Sequence, residues 1–110
     1  MAKQLLEQLD SKTLQFKDIL AYIDAHYTYT ASAFRNGSQY NAENENQGSA
    51  KVFSFAKIHD LSQADTLKLF AEHYAAVQQT PEGVDHQNIR QFIKNGWAGL
   101  QFDQQVLQEK

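Results

Sequence analysis

The chain has no cysteine, one proline, five glycines and only two arginines among 110 residues. Without thiols there is no disulfide scaffold, thiolate zinc site, iron–sulfur cluster or cysteine nucleophile. The single proline, Pro81, and the sparse glycines leave long stretches with nothing to break a helix. Arg35 and Arg90 stand alone in a chain of net charge −3, which speaks against phosphate-backbone binding and so against a nucleic-acid partner. No run approaches 18 apolar residues, so no membrane span is expected. The N-terminus MAKQLLEQLDSK lacks an apolar signal core, and the expected location is the cytoplasm.

What is present is ordinary globular material. Hydrophobic residues make up 42% and charged residues 21%. A 12.6 kDa chain folds to roughly 6,200 Å² of accessible surface from roughly 18,000 Å², enough for an unstapled core. Fourteen glutamines and six asparagines are an unusual load of amide.

Periodicity predicts a mostly α, single-domain α+β fold of about five helices. Ala2 to Asp10 carries Leu5, Leu6 and Leu9 on one stripe. Leu14 to Tyr27 places Phe16, Ile19, Leu20, Ile23 and Tyr27 on one face, with Thr13 as N-cap. The helix and strand patterns compete over Ala50 to Asp60; its length and alanines favour a helix, capped by Ser49. Ser62-x-x-Asp65 opens a helix running to about Gln79 with Leu67, Phe70, Ala71, Tyr74 and Val77 inward. Asp85 caps a last helix bearing Ile89, Phe92 and Ile93, which Asn95-Gly96 ends. A small β element is expected from residues 27–36 and 99–102, with a turn at Asn36-Gly37. Residues 41–49 read as a solvated loop with nothing to bury except Ala42. The globular domain spans 1–102, and 103–110 reads as a loosely held tail.

The segments FRNG (Phe34 to Gly37), NQGSAK (Asn46 to Lys51), IDAHYTYT (Ile23 to Thr30) and above all PEGVDHQNIRQFIKNGWAGLQF (Pro81 to Phe102) resemble the HopJ type III effector protein family. The resemblance runs from about Phe16 to Phe102. It implies a bacterial protein, and secretion by a type III system is the alternative location. Two departures stand out: Ala50 occupies a position commonly cysteine in that family, and Ala31 one often proline. The N-terminal stretch reads as an amphipathic helix rather than a serine-rich leader.

No complete catalytic set is visible. The four histidines form no HxxH or HxxxH pair, there is no GxSxG and no Walker sequence, and an EF-hand beginning at Asn41 would need glycine at Asn46 and glutamate at Val52. No cofactor, metal or catalytic residue is assigned. The ligand-binding candidates are Asn36, Gly48, Ser49, Lys51, Asp85, His86, Arg90 and Trp97. Gly48 and Ser49 offer a helix start with Lys51 beside it, suited to an oxyanion. Arg90 on a core-packed helix can grip a carboxylate or phosphate, or instead an internal acid or loop carbonyls. Asp85 and His86 pair acid with imidazole, although Asp85 as a helix cap with His86 in solvent is the favoured reading, because neighbours in sequence point in different directions on a helix. Trp97, between Gly96 and Gly99, can line a groove.

Three functions follow. The favoured one is a monomeric, non-catalytic module that binds a protein or a small anion held between Gly48–Lys51 and Arg90. A small enzyme would gather His26, Asn36, Lys51, His86 and Arg90 in one cleft. An effector acting in a host cell rests on the resemblance.

Overall fold

The computed structural model describes residues 2–10 and 14–110. It contains helices α1 (Ala2–Asp10), α2 (Phe16–His26), α3 (Gln47–Ile58), α4 (Gln63–Lys68), α5 (Glu72–Gln79) and α6 (Gln87–Asn95). Strands are β1 (Tyr27–Tyr29), β2 (Phe34–Asn36), β3 (Gln39–Asn41), β4 (Leu100–Phe102) and β5 (Leu107–Glu109), with a 3-10 turn at Gly96–Gly99. The expected α+β class is found, with six helices rather than five among the described residues.

α3 is the centre of the fold. Ala50, Val52, Phe53, Phe55 and Ala56 are all buried, so apolar residues face more than one side of the helix. A helix enclosed by neighbours needs no single stripe, which is why its sequence also reads as a strand. Phe53 packs against Phe70 and Phe92, with ring centroids at 5.2 and 4.8 Å, and Phe92 meets the Trp97 ring edge-on at 5.1 Å. The cap of α3 is not Ser49. The helix begins earlier, after Asn46, which takes a left-handed φ of 50°. Thr13 lies outside the described residues; α2 follows Gln15, whose N–H donates to the Asp18 carboxylate at 2.9 Å.

The continuous helix expected over 62–79 is broken. Ser62 caps α4 by accepting from the Asp65 N–H at 3.1 Å, but the chain leaves the helix at Leu69 and restarts after Ala71, at φ 51°. The break has a packing reason. Leu67 and Leu69 lie two residues apart and so on opposite sides of a regular helix, yet both are buried together with Phe70. On α6, Ile89 and Phe92 are buried while Ile93, expected inward, is 42% exposed. Gly96 ends α6 at φ 61°, and the Gln63 side chain donates to the last carbonyls, Phe92 and Ile93, at 3.0 Å each.

Strands β2 and β3 form a hairpin around Gly37-Ser38, with Gly37 at φ 61°, the first central position of a II′-type turn. β4 pairs antiparallel on the other edge of β2, giving the order β3-β2-β4, while β1 and β5 form a separate pair. Both pairings keep one register: Tyr27 faces Glu109, Tyr29 faces Leu107, Phe34 faces Phe102 and Asn36 faces Leu100. Between them the Gln104 N–H donates to Ser32 Oγ and the Gln104 amide to the Ala31 carbonyl, so side chains bridge where the ladder lapses.

Two sequence readings are thereby corrected. Residues 103–110 are not a loose tail, because Val106 and Leu107 are buried and β5 is bonded to β1. The 41–49 segment buries more than Ala42, because Asn41 ends β3 fully enclosed.

Candidate functional site

The starts of α3 and α6 converge on one cleft of about 360 Å³. Asn46, Gly48 and Ser49 line it from one helix start, His86, Gln87, Asn88 and Ile89 from the other, and Phe16, Phe70 and His73 close its side. Four asparagines set this convergence. Asn41 and Asn88 exchange side-chain hydrogen bonds of 3.2 and 3.0 Å. Asn46 Nδ2 donates to Asn41 Oδ1 at 2.7 Å, and Asn36 Nδ2 donates to the Asn88 carbonyl at 2.7 Å. These buried amides satisfy one another except at Asn36 Oδ1, which has no hydrogen-bond partner, and their mutual bonding fixes the two helix starts relative to the hairpin.

The caps leave the helix starts open. Asn46 and His86 both take left-handed backbone angles, and neither side chain accepts from the first turn that follows it. The first N–H groups of each helix have no acceptor within it, and each helix presents partial positive charge there. Opposite them runs a chain of rings: Phe70 against Phe16 at 5.7 Å, Phe16 against His73 at 4.9 Å and His73 against His86 at 5.0 Å.

Of the residues singled out from sequence, Gly48, Ser49 and His86 meet in this cleft, and Asn36 sits behind it, bonded to Asn88. The others are elsewhere. Lys51 pairs with Asp24 at 2.8 Å and lies over the Tyr29 ring at 4.5 Å. Arg90 does not reach the cleft. Its guanidinium donates to the carbonyls of Asp85 and Thr80 and grips the Asp85 carboxylate at 2.6 Å, clamping the 80–85 loop. Asp85 therefore does not cap α6; His86 holds that position. The hydrogen bond from Arg90 holds the Asp85 carboxyl below its ordinary pKa. Trp97 donates from its indole N–H to the Leu61 carbonyl at 3.2 Å and borders a separate hollow of about 310 Å³.

The five groups whose convergence would mark an enzyme do not gather. His26 donates to the Tyr22 carbonyl on α2, and Lys51 and Arg90 are engaged as above. His59 is tied to the Tyr27 hydroxyl at 2.7 Å, and burial pushes its pKa down. Among the described residues no three His, Asp or Glu side chains are placed to hold a metal ion.

Reading the sequence alone missed His73 and Asn88. Asn88 carried a signal: it lies four residues before Phe92 on the apolar stripe of α6, where a polar side chain must find a buried partner. The left-handed turns at Asn46 and His86 carried none that propensity could separate from a loop.

The crystal structure of a protein of unknown function, VPA0580, is similar over 98% of this chain and 92% of its own, at 40% identity and a TM-score of 0.90. No curated protein matches significantly. The family model described as HopJ type III effector protein matches residues 2–107, nearly the whole length, and the chain belongs to that family.

Proposed function

We propose that the protein is a non-catalytic binding module whose cleft between α3 and α6 holds a small anion, a carboxylate or a phosphate. The observation that carries this reading is the meeting of two uncapped helix starts and two imidazoles around one cleft of about 360 Å³. Backbone N–H groups from two directions suit an oxyanion, and the helix ends favour negative charge although the whole chain is acidic. His73 and His86 supply further donors, and a volume near the lower end of ligand pockets suits a metabolite-sized anion. The protein works as a monomer in the cytoplasm.

Calorimetric titration with inorganic phosphate and with acetate tests the reading. A His73→Gln/His86→Asn double variant keeps a side chain that tolerates the left-handed angle at 86. We expect it to bind the anion at least tenfold more weakly, with an unchanged melting temperature. Equal affinity in the variant, or no heat from the native protein at millimolar anion, contradicts the proposal.

The family description favours a second reading, delivery through a type III system. A secretion assay in the source organism, comparing strains with and without the apparatus, decides it. Export that depends on the apparatus supports delivery, and retention in both strains removes it.

A further inference from the structure

A second hollow, independent of the anion cleft, runs beside the free edge of β4. The Asp103 N–H donates to the Ala33 carbonyl at 3.2 Å and the Gly37 N–H to the Gly99 carbonyl at 2.8 Å. Residues 99, 101 and 103 are thus the ones bonded to β2. Antiparallel alternation then turns the N–H and C=O of Phe102, and the C=O of Leu100, away from β2. The Leu100 N–H is already used, on the Trp97 carbonyl. β4 ends its sheet, so these three groups meet no further strand.

The space they face is built. A hollow of about 800 Å³ lies between the 100–107 segment and the α3 side chains Ser54, Lys57 and Ile58. The 310 Å³ hollow beside Trp97 adjoins it, sharing Lys57, Leu100 and Phe102. Ile58 leaves 44% of its surface open there. Charge along the groove is ordered. Lys57 borders both hollows, Asp60 only the Trp97 side and Asp103 only the other, so a cation stands between two flanking acids. Lys57 makes no ion pair among the described residues.

We propose that this groove takes an extended peptide segment of a partner protein, added as a strand to β4, with apolar side chains flanking one central acidic residue that meets Lys57. An unpaired strand edge is a template for main-chain pairing, and the neighbouring side chains select the sequence. Phe102 exchanges both hydrogen bonds with one peptide residue, and the Leu100 carbonyl accepts a third. The flanking Asp60 and Asp103 repel a peptide acidic throughout, which confines the acid to the centre.

The test is an amide-resolved NMR titration with acetyl-Val-Thr-Glu-Thr-Val-amide, which sets the two valines and the glutamate on one face of the strand. Two control peptides accompany it: one with lysine at the centre, and one N-methylated at alternate residues so that it cannot pair. We expect the Phe102 amide proton to move downfield, with shifts confined to the 100–107 segment and to residues 54–58. Affinity should fall at least tenfold for the N-methylated peptide, for the lysine peptide, and for the native peptide on the Lys57→Ala variant. Inorganic phosphate should not compete. An unmoved Phe102 amide at millimolar peptide, or equal binding of the N-methylated peptide, overturns strand addition. Equal binding of the lysine peptide overturns the charge pattern.

Discussion

Asn41 and Asn88, 47 residues apart in sequence, face each other as a reciprocal amide pair, each donating to the other's Oδ1. The pair joins the hairpin to α6, and through Asn46 it reaches α3. Replacing Asn88 with leucine removes the 3.2 Å acceptor of Asn41 Nδ2, leaving it only the longer contacts to the Phe34 and Gln39 carbonyls at 3.4 and 3.5 Å, and removes one Asn36 contact inside the protein. Buried groups left without partners cost roughly 1–3 kcal/mol each, so a loss of about 2–4 kcal/mol is expected in urea unfolding. The Asn41→Leu/Asn88→Leu double variant should cost less than the sum of the single changes, because each removes the other's underbonded partner. Strict additivity would show that the pair is not coupled.

Arg90 is expected to act on the 80–85 loop rather than on a ligand. In Arg90→Ala the Asp85 carboxyl loses the hydrogen bond that lowers its pKa, and its titration should return toward that of an ordinary aspartate. Carbon-detected NMR of the carboxyl follows this directly. The same variant should speed amide exchange in residues 80–86 while α3 remains protected. An unmoved Asp85 titration would show that the clamp does not persist in solution.

His59 predicts a pH dependence of stability. Its folded pKa lies below the ordinary histidine value, chiefly through burial, so the folded state favours the neutral ring. The contribution is fully present above the unfolded pKa of about 6.5. It is lost as pH falls from there through the lowered folded value, because the unfolded chain then binds the proton more readily. Urea midpoints measured between about pH 5 and 8 should therefore decline more steeply toward acid in the native protein than in His59→Gln. Parallel profiles would remove the histidine from the account.

The last strand should prove structural. Leu107 is 1% exposed and sits in the core behind β1. Truncating it to alanine should cost about 2–4 kcal/mol by lost burial and cavity formation. A melt within a degree of native would restore a loosely held C-terminus.

Much of this architecture could be read from spacing. The stripe of α2, the Ser62 cap, the Gly96 stop and the hairpin turn at Gly37 all follow local rules, and each is where those rules put it. The misses depend on distant partners. β5 is three residues with one buried leucine, and only its pairing with β1, some 80 residues earlier, makes it a strand. The break at Ala71 serves the burial of Leu69, a demand of the core that local helix propensity does not contain. At the site, Gly48, Ser49 and His86 are visible as chemistry; Lys51 pairs with Asp24 instead of joining them, and Arg90 takes the internal acid and loop carbonyls that were its alternative to a ligand. Charge predicts that a cation needs a partner and does not say which. His73 joins His86 only because α5 restarts after the break.

The most direct measurement is an amide-resolved NMR titration of the native protein with inorganic phosphate. Binding in the cleft predicts saturable shifts at the amides of Gly48, Ser49, Gln87 and Asn88 and at the ring protons of His73 and His86, with the 80–85 loop and the β4 edge little changed. Shifts centred on Lys51 or Arg90, or none at millimolar phosphate, would contradict the claim that the two helix starts form the binding site.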